Sequence, residues 1–184
     1  MKYNPKIHHR RSIRLKGYDY SQAGCYFITI CAQNRKCIFG EIIDGKMVLN
    51  EFGEIVNDEW LKIPDRFPGI ELDVFQIMPD HFHGIINIVG ATLAVDPNNA
   101  IDPNPRAGAS PAPTADVTIG NIIGAFKSNV SNEILKIFKS RNEHMGKLWQ
   151  RNYYEHIVRN DNDLNRIRQY IIDNPLKWGN DQFY

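Results

Sequence analysis

The spacing of apolar and polar positions changes several times along this 184-residue chain, and each change marks an element. Cys25–Ala32 (CYFITICA) is β-branched and aromatic and reads as a strand. Between Cys37 and Leu49 the pair Asp44-Gly45 separates two short apolar runs, which predicts a hairpin with a two-residue turn. Phe52, Ile55, Val56, Trp60 and Ile63 then recur every three or four residues. They predict a helix with one apolar face, capped by Asn50 and closed by Pro64. Leu72–Ile77 and His81–Val89 return to strand composition. Met78-Pro79-Asp80 lies between them, and a proline cannot donate to a central ladder, so a bend or bulge is expected just before His81.

A helical stripe begins after Val117 with Ile119, Ile122, Ile123, Phe126 and Val130, and Ile134, Leu135 and Phe138 continue it. Gly120 and Gly124 weaken that helix by about 1 kcal/mol each relative to alanine and leave room for a backbone or DNA to come close. WQRNYYEHIVR is read as starting extended. A closing helix runs from about Asp161 to Asn174, capped by Asn160 with Asp163 three residues on, and stopped by Pro175. Residues 91–116 stand apart, with five prolines and no aromatic residue, and read as a flexible insertion outside the core. Few helices, no regular βαβ repeat and adjacent strand runs predict an α+β two-layer sandwich with a mostly antiparallel sheet and its helices on one face. The length fits one domain, 1–184, with a basic arm over residues 1–20.

Composition adds little to this picture except through charge placement. Hydrophobic residues make up 42% and charged residues 23%, as in ordinary globular proteins, and the net charge is only +1. Residues 1–17 nevertheless carry Lys2, Lys6, Arg10, Arg11, Arg14 and Lys16 without an acid. A second basic stretch holds Lys136, Lys139, Arg141, Lys147 and Arg151. Such clusters suit phosphate contacts, or equally a solvated tail and loop. Three cysteines without ligand spacing exclude a disulfide framework and a zinc ribbon. No leader-like or membrane-spanning apolar run is found, so a cytoplasmic protein with no membrane partner is expected.

The candidate chemistry starts in the second strand region. In an extended segment His81 and His83 face the same way and Phe82 the other, so two imidazoles share one sheet face. Two such rings can hold a divalent ion, although one packed and one solvated histidine would look the same in sequence. The closing helix carries Tyr170 and Asn174 four apart, on a stripe distinct from Leu164, Ile167 and Ile171. Asn174 could offer its carbonyl oxygen to Mg²⁺ or Mn²⁺, and Tyr170 a hydroxyl nucleophile one turn away. A phenol with its pKa near 10 needs a polarised, in-line electrophile, which a phosphodiester on a divalent ion would be.

Strand-borne MPDHFHG (Met78–Gly84), LWQRNYYEHIVRNDNDL (Leu148–Leu164) and RQYIIDNPLKWG (Arg168–Gly179) together resemble the REP-associated tyrosine transposases of the HUH single-tyrosine group. The segment RRSIRLKGYDYSQAGCYFITICAQNRKCIFG and IGNIIGAFKS (Ile119–Ser128) share the likeness, which covers most of the chain outside the insertion. The resemblance implies a ferredoxin-like core with the histidines on a central strand and the tyrosine on a facing helix. It implies metal binding by His81 and His83 with Asn174 as third ligand, and Tyr170 as nucleophile. It further implies action on single-stranded DNA beside hairpin-forming repeats, through a 5′-phosphotyrosine intermediate. It also raises a homodimer as the assembly.

Tyr153 and Tyr154 compete for the nucleophile's role, but neither has an amide or acid four residues later, where Ile157 and Val158 stand. Tyr154, His156, Trp149, Gln150 and Arg151 instead suit the lining of a DNA path, by base stacking and phosphate pairing, or else the core. Arg159, Arg168 and Lys127 are further candidates for DNA contact, with Arg10, Arg11 and Arg14 of the arm. Two other readings compete with this one. The first is a non-catalytic DNA- or RNA-binding module. The second is a metal-dependent phosphoesterase using activated water, for which Asp80 is the acid nearest the histidines. After Pro79, Asp80 also suits a turn.

Overall fold

The structure, a computed structural model, describes residues 19–89 and 117–178. Within them lie six strands and four helices: β1 (Gly24–Cys31), β2 (Gly40–Ile43), β3 (Lys46–Leu49), α1 (Glu51–Leu61), α2 (Ile63–Arg66), β4 (Ile70–Met78), β5 (His81–Ile88), α3 (Ile119–Ser140), β6 (Tyr154–Val158) and α4 (Asp161–Lys177). A four-stranded sheet has the order β4-β5-β1-β6, and every neighbouring pair in it is antiparallel. β2 and β3 form the separate hairpin that Asp44-Gly45 predicts. Asp44 (φ 50°) and Gly45 (φ 71°) take the two left-handed conformations that such a turn requires.

The helix starts follow local chemistry. The Asn50 side chain accepts from the N–H groups of Phe52 and Gly53, Thr118 and Asn121 form a reciprocal capping box, and Asn160 accepts from Asp163 N–H. The two prolines read as stops behave otherwise. Pro64 lies in the first turn of the short α2, and Pro175 is buried inside the last turn of α4, which continues to Lys177. A proline lacks only an N–H that a first turn leaves unpaired anyway. The chain does bend at Pro79-Asp80, as a tight turn between β4 and β5. The register shift falls further back, between Leu72 and Phe75.

The α+β class and the antiparallel sheet agree with the sequence; the layering does not. Helices cover both faces of the sheet instead of one. On one face α1 and α3 bury Val56, Trp60, Ile122, Ile123, Phe126 and Val130 against Tyr26, Ile28, Ile30, Phe82 and Ile86 of the strands. On the other, α4 lays Ile167 and Ile171 on Phe27 and Ile85. Amphipathic spacing tells a helix which side to bury, but not which side of the sheet will receive it. No helix among the described residues is long and apolar enough to cross a membrane.

Candidate active site

β5 is an interior strand, bonded to β4 on one edge and β1 on the other. Its alternation turns Phe82 and Ile86 into the α1/α3 core, and His81, His83 and Ile85 toward α4. Gly84 is required by the core side, because a Cβ there would sit 2.5 Å from the Trp60 ring. The histidines are 0% and 3% exposed, so neither ring is a solvated surface residue.

Each ring is anchored through its Nδ1. His81 Nδ1 lies 2.6 Å from Asp80 Oδ1, and His83 Nδ1 lies 2.8 Å from Thr29 Oγ1, the residue opposite it on β1. The two Nε2 atoms then meet at 2.9 Å. A carboxylate only accepts, so His81 carries a proton on Nδ1 and in its neutral form presents a lone pair at Nε2. The Thr29 hydroxyl can donate or accept. His83 therefore either donates from Nε2 to His81 or turns its proton to Thr29 and presents a second lone pair. Burial, with smaller contributions from His81 and Arg35, holds the His83 pKa well below the ordinary histidine value, so this ring is neutral at pH 7.

α4 brings the other candidates to the same face. The Tyr170 hydroxyl is 3.4 Å from His83 Nε2, and the residue is 38% exposed at the mouth of the cleft. Phe27 packs beneath both rings, near-parallel to His83 at 5.5 Å and edge-on to Tyr170 at 6.1 Å. One turn on, Asn174 is 0% exposed, and neither its Oδ1 nor its Nδ2 has a hydrogen-bond partner among the described residues. A buried amide without a partner costs about 1–3 kcal/mol, so its presence needs a reason. Trp178, just past α4, stacks on His81 at 6.2 Å.

This donor set fits a divalent cation. The described residues contain no cluster of three His, Cys, Asp or Glu side chains able to share an ion, so a third ligand drawn from them would be of another type. The buried amide of Asn174 is a donor of that type. Anchoring of Nδ1 by a carboxylate or hydroxyl is the usual outer support of a ligating histidine.

The expected DNA-contacting residues divide. Arg10, Arg11 and Arg14 lie outside the described residues. Trp149 is corrected: it is 8% exposed, packed between Phe39 and Phe126, with its indole N–H donated to the Lys127 carbonyl. A ring held this way cannot stack on a base. Lys127 is also turned inward, its ammonium donating to the carbonyls of Gln150 (2.6 Å) and Arg151 (3.4 Å), and burial lowers its pKa. It fastens the segment before β6 instead of reaching outward. Arg168 is tied to both oxygens of Asp73. Tyr154 is 52% exposed and edge-on to Phe27, in register with Thr29, and Arg151 is exposed while Gln150 is partly so. His156 and Arg159 line a shallow cavity of ≈ 490 Å³ with Asn160, Asn162, Asp163 and Arg166, at the opposite end of α4 from Asn174.

The sequence reading missed Thr29, Phe27, Arg35 and Trp178. Thr29 and Phe27 lie at alternate positions of β1, so strand alternation carried a signal for both; Arg35 and Trp178 carried none. Asp80 is a turn residue, as read, and is also the partner of His81.

Comparison with known proteins gives a consistent picture. The profile of the family described as "Transposase IS200 like" matches residues 112–174, the span that holds Tyr170 and Asn174. An uncharacterized protein of Haemophilus influenzae is 44% identical over 183 residues, covering 100% of this chain and 97% of its own length. A second protein of that organism, named provisionally as a REP-associated tyrosine transposase, is 25% identical over 162 residues, 88% of this chain and 75% of that protein. Among solved structures, a REP-associated tyrosine transposase bound to a REP hairpin superposes with a TM-score of 0.57. The match covers 90% of this chain and 74% of that one, at 17% identity, a likeness of fold.

Proposed function

The chain belongs to the IS200-like transposases, and from that premise we propose that it cuts and rejoins single-stranded DNA beside hairpin-forming repeats, with Tyr170 as the nucleophile. Transposase function is what the family supports. The finer reading rests on one observation: the Tyr170 hydroxyl stands 3.4 Å from the Nε2 of a histidine pair whose Nδ1 atoms are both anchored. The solved relative's hairpin supports hairpin DNA as the substrate class.

The residues divide the work. Asp80 and Thr29 orient the two rings, and Phe27 fixes the approach of Tyr170. The Tyr170 oxygen attacks phosphorus, the phosphorus–O3′ bond breaks, the phenolic proton is lost and the departing O3′ is protonated. The products are a 5′-phosphotyrosine and a free 3′-hydroxyl. The ester keeps the energy of the broken bond, so reversal by the same or another 3′-end needs no triphosphate. His81, His83 and the Asn174 carbonyl oxygen would hold Mg²⁺ or Mn²⁺, which when bound supplies positive charge for the phosphate oxygens. The exposed Tyr154, Arg151 and Arg159, with the half-buried Gln150 and His156, would contact the strand.

The water-using reading fares worse. It needs Asp80 as a base, and both Asp80 oxygens are taken, by His81 at 2.6 Å and Arg35 at 2.8 Å. Labelled single-stranded hairpin oligonucleotides with Mg²⁺ or Mn²⁺ test the proposal through a denaturation-resistant protein–DNA adduct. The adduct should be lost in Tyr170→Phe, by on the order of 10⁴-fold in rate or more, and retained in Tyr154→Phe. Cleavage without an adduct would point to water, binding without cleavage to a non-catalytic module, and loss only in Tyr154→Phe to the wrong tyrosine.

A further inference from the structure

The turn after β1 adopts an unfavourable backbone. Asn34 (φ 56°) and Arg35 (φ 53°) are consecutive non-glycine residues in the left-handed region. Such conformations persist where their surroundings over-determine them. Ala32 N–H donates to the Asp80 carbonyl at 2.9 Å, and Ile38 and Phe39 N–H both donate to the Pro79 carbonyl, at 2.8 and 3.0 Å. These bonds stitch the turn to the one that precedes His81. The side chain it delivers is Arg35, with Nε 2.8 Å from Asp80 Oδ2 and Nη1 2.9 Å from Cys31 Sγ. Asp80 is buried, and its other oxygen is the one on His81 Nδ1.

We propose that Arg35 and Asp80 are positioning residues that set the tautomer of His81; as an account of ion binding this rests on the reading of His81 as a ligand. Arg35 is a pure donor and His81 Nδ1–H a donor, so a carboxylate between them satisfies both only by accepting from each side. The carboxylate is thereby held back from the ion, and the His81 proton is kept on the nitrogen that faces away from His83. The strained turn has a chemical result: a lone pair at His81 Nε2.

An asparagine at this place makes the proposal specific. In Asp80→Asn, Arg35 still requires an acceptor and takes the amide oxygen, which turns the amide N–H toward His81 Nδ1. His81 must then accept there and carry its proton on Nε2, where an ion would bind. Adding Arg35→Met frees the amide to rotate and accept from Nδ1–H again. A second disruption should therefore repair the first, which a merely structural role for Arg35 does not give.

Histidine ¹⁵N NMR of the ion-free full chain at pH 8 and Mn²⁺ binding followed by electron paramagnetic resonance read the two consequences. The wild type should show His81 protonated at Nδ1. Asp80→Asn should show it at Nε2 with Mn²⁺ affinity lowered about 10–100-fold, and Asp80→Asn/Arg35→Met should regain the first tautomer and most of the affinity. A wild-type His81 protonated at Nε2 overturns the proposal without any variant, as does a double variant no different from Asp80→Asn. Should Asp80→Asn not fold, Asp80→Ala/Arg35→Met decides: a tautomer mixture is expected, and a pure Nδ1–H form overturns. A wild type that binds no Mn²⁺ defeats the ligand reading, while the tautomer spectra still judge the positioning role.

Discussion

The two faces of the four-stranded sheet are built to different ends. Against α1 and α3 the sheet buries an almost unbroken apolar set, with the Trp60 ring tilted against Phe82 at 4.4 Å and both rings meeting Phe126. Against α4 the apolar set is short, Phe27, Ile85, Ile167 and Ile171, and it shares the face with buried His81, His83 and Asn174. Burial of apolar surface stabilises on both sides, but polar groups kept from water on the α4 side work against it. β5 is the boundary, because successive residues of one strand serve opposite purposes. Stability comes mainly from the first face, and the second gives up some of it for reactive groups.

Three substitutions can break or sharpen that contrast. The largest effect is expected on the apolar face. Trp60→Ala should cost about 3–5 kcal/mol in urea unfolding, through lost contacts with Phe82, Phe75 and Phe126. An equal loss on removing an α4-side residue such as Ile167 would erase the distinction. An intermediate effect of opposite sign is expected at Asn174. Asn174→Leu replaces a buried amide without partners among the described residues by an apolar group of similar size, so the ion-free protein should gain about 1–3 kcal/mol in thermal unfolding while adduct formation is lost. A destabilised variant would mean that the amide is satisfied after all.

The smallest effect lies at the rim, where hydrogen bonds from Arg166 and His156 hold the Asp163 carboxyl at about 2 against an ordinary 3.8. A depressed carboxylate pKa contributes stability that is complete above about pH 4 and is lost as pH falls from there toward about 2. Asp163 is partly exposed, so about 1 kcal/mol is the ceiling. In Asp163→Asn the melting temperature should fall less steeply between pH 4 and pH 2 than in the wild type; parallel curves would show that the pair adds nothing.

Much of this was legible in the sequence where a local rule decides. The Asp44-Gly45 turn, the Asn50 and Asn160 caps, and the strand alternation that puts His81 and His83 on one face all follow from neighbouring residues alone. The Tyr170–Asn174 spacing shows that they share a helix stripe, but only tertiary packing carries that stripe to the histidines. The same limit explains the errors. Trp149 among polar and aromatic neighbours looks identical whether it stacks on bases or on Phe39, and α4 shows no preference for either sheet face. Arg35 was invisible because nothing in Asn34-Arg35 announces two left-handed residues. Pro64 misled because a first turn leaves the N–H it lacks unpaired anyway, and Pro175 because α4 runs on to Lys177 despite the helix bond a proline there removes.

The Pro79-Asp80 turn has a consequence for the order of synthesis. Asp80, His81 and His83 leave the ribosome within four residues of one another, whereas Tyr170 is made 87 residues after His83. If Tyr170 is the nucleophile, a chain interrupted between β5 and α4 carries both imidazoles but lacks the group with which to attach itself to DNA. On that reading, the distance in sequence between the histidines and the tyrosine would act as a delay: only a chain completed through α4 could form the link.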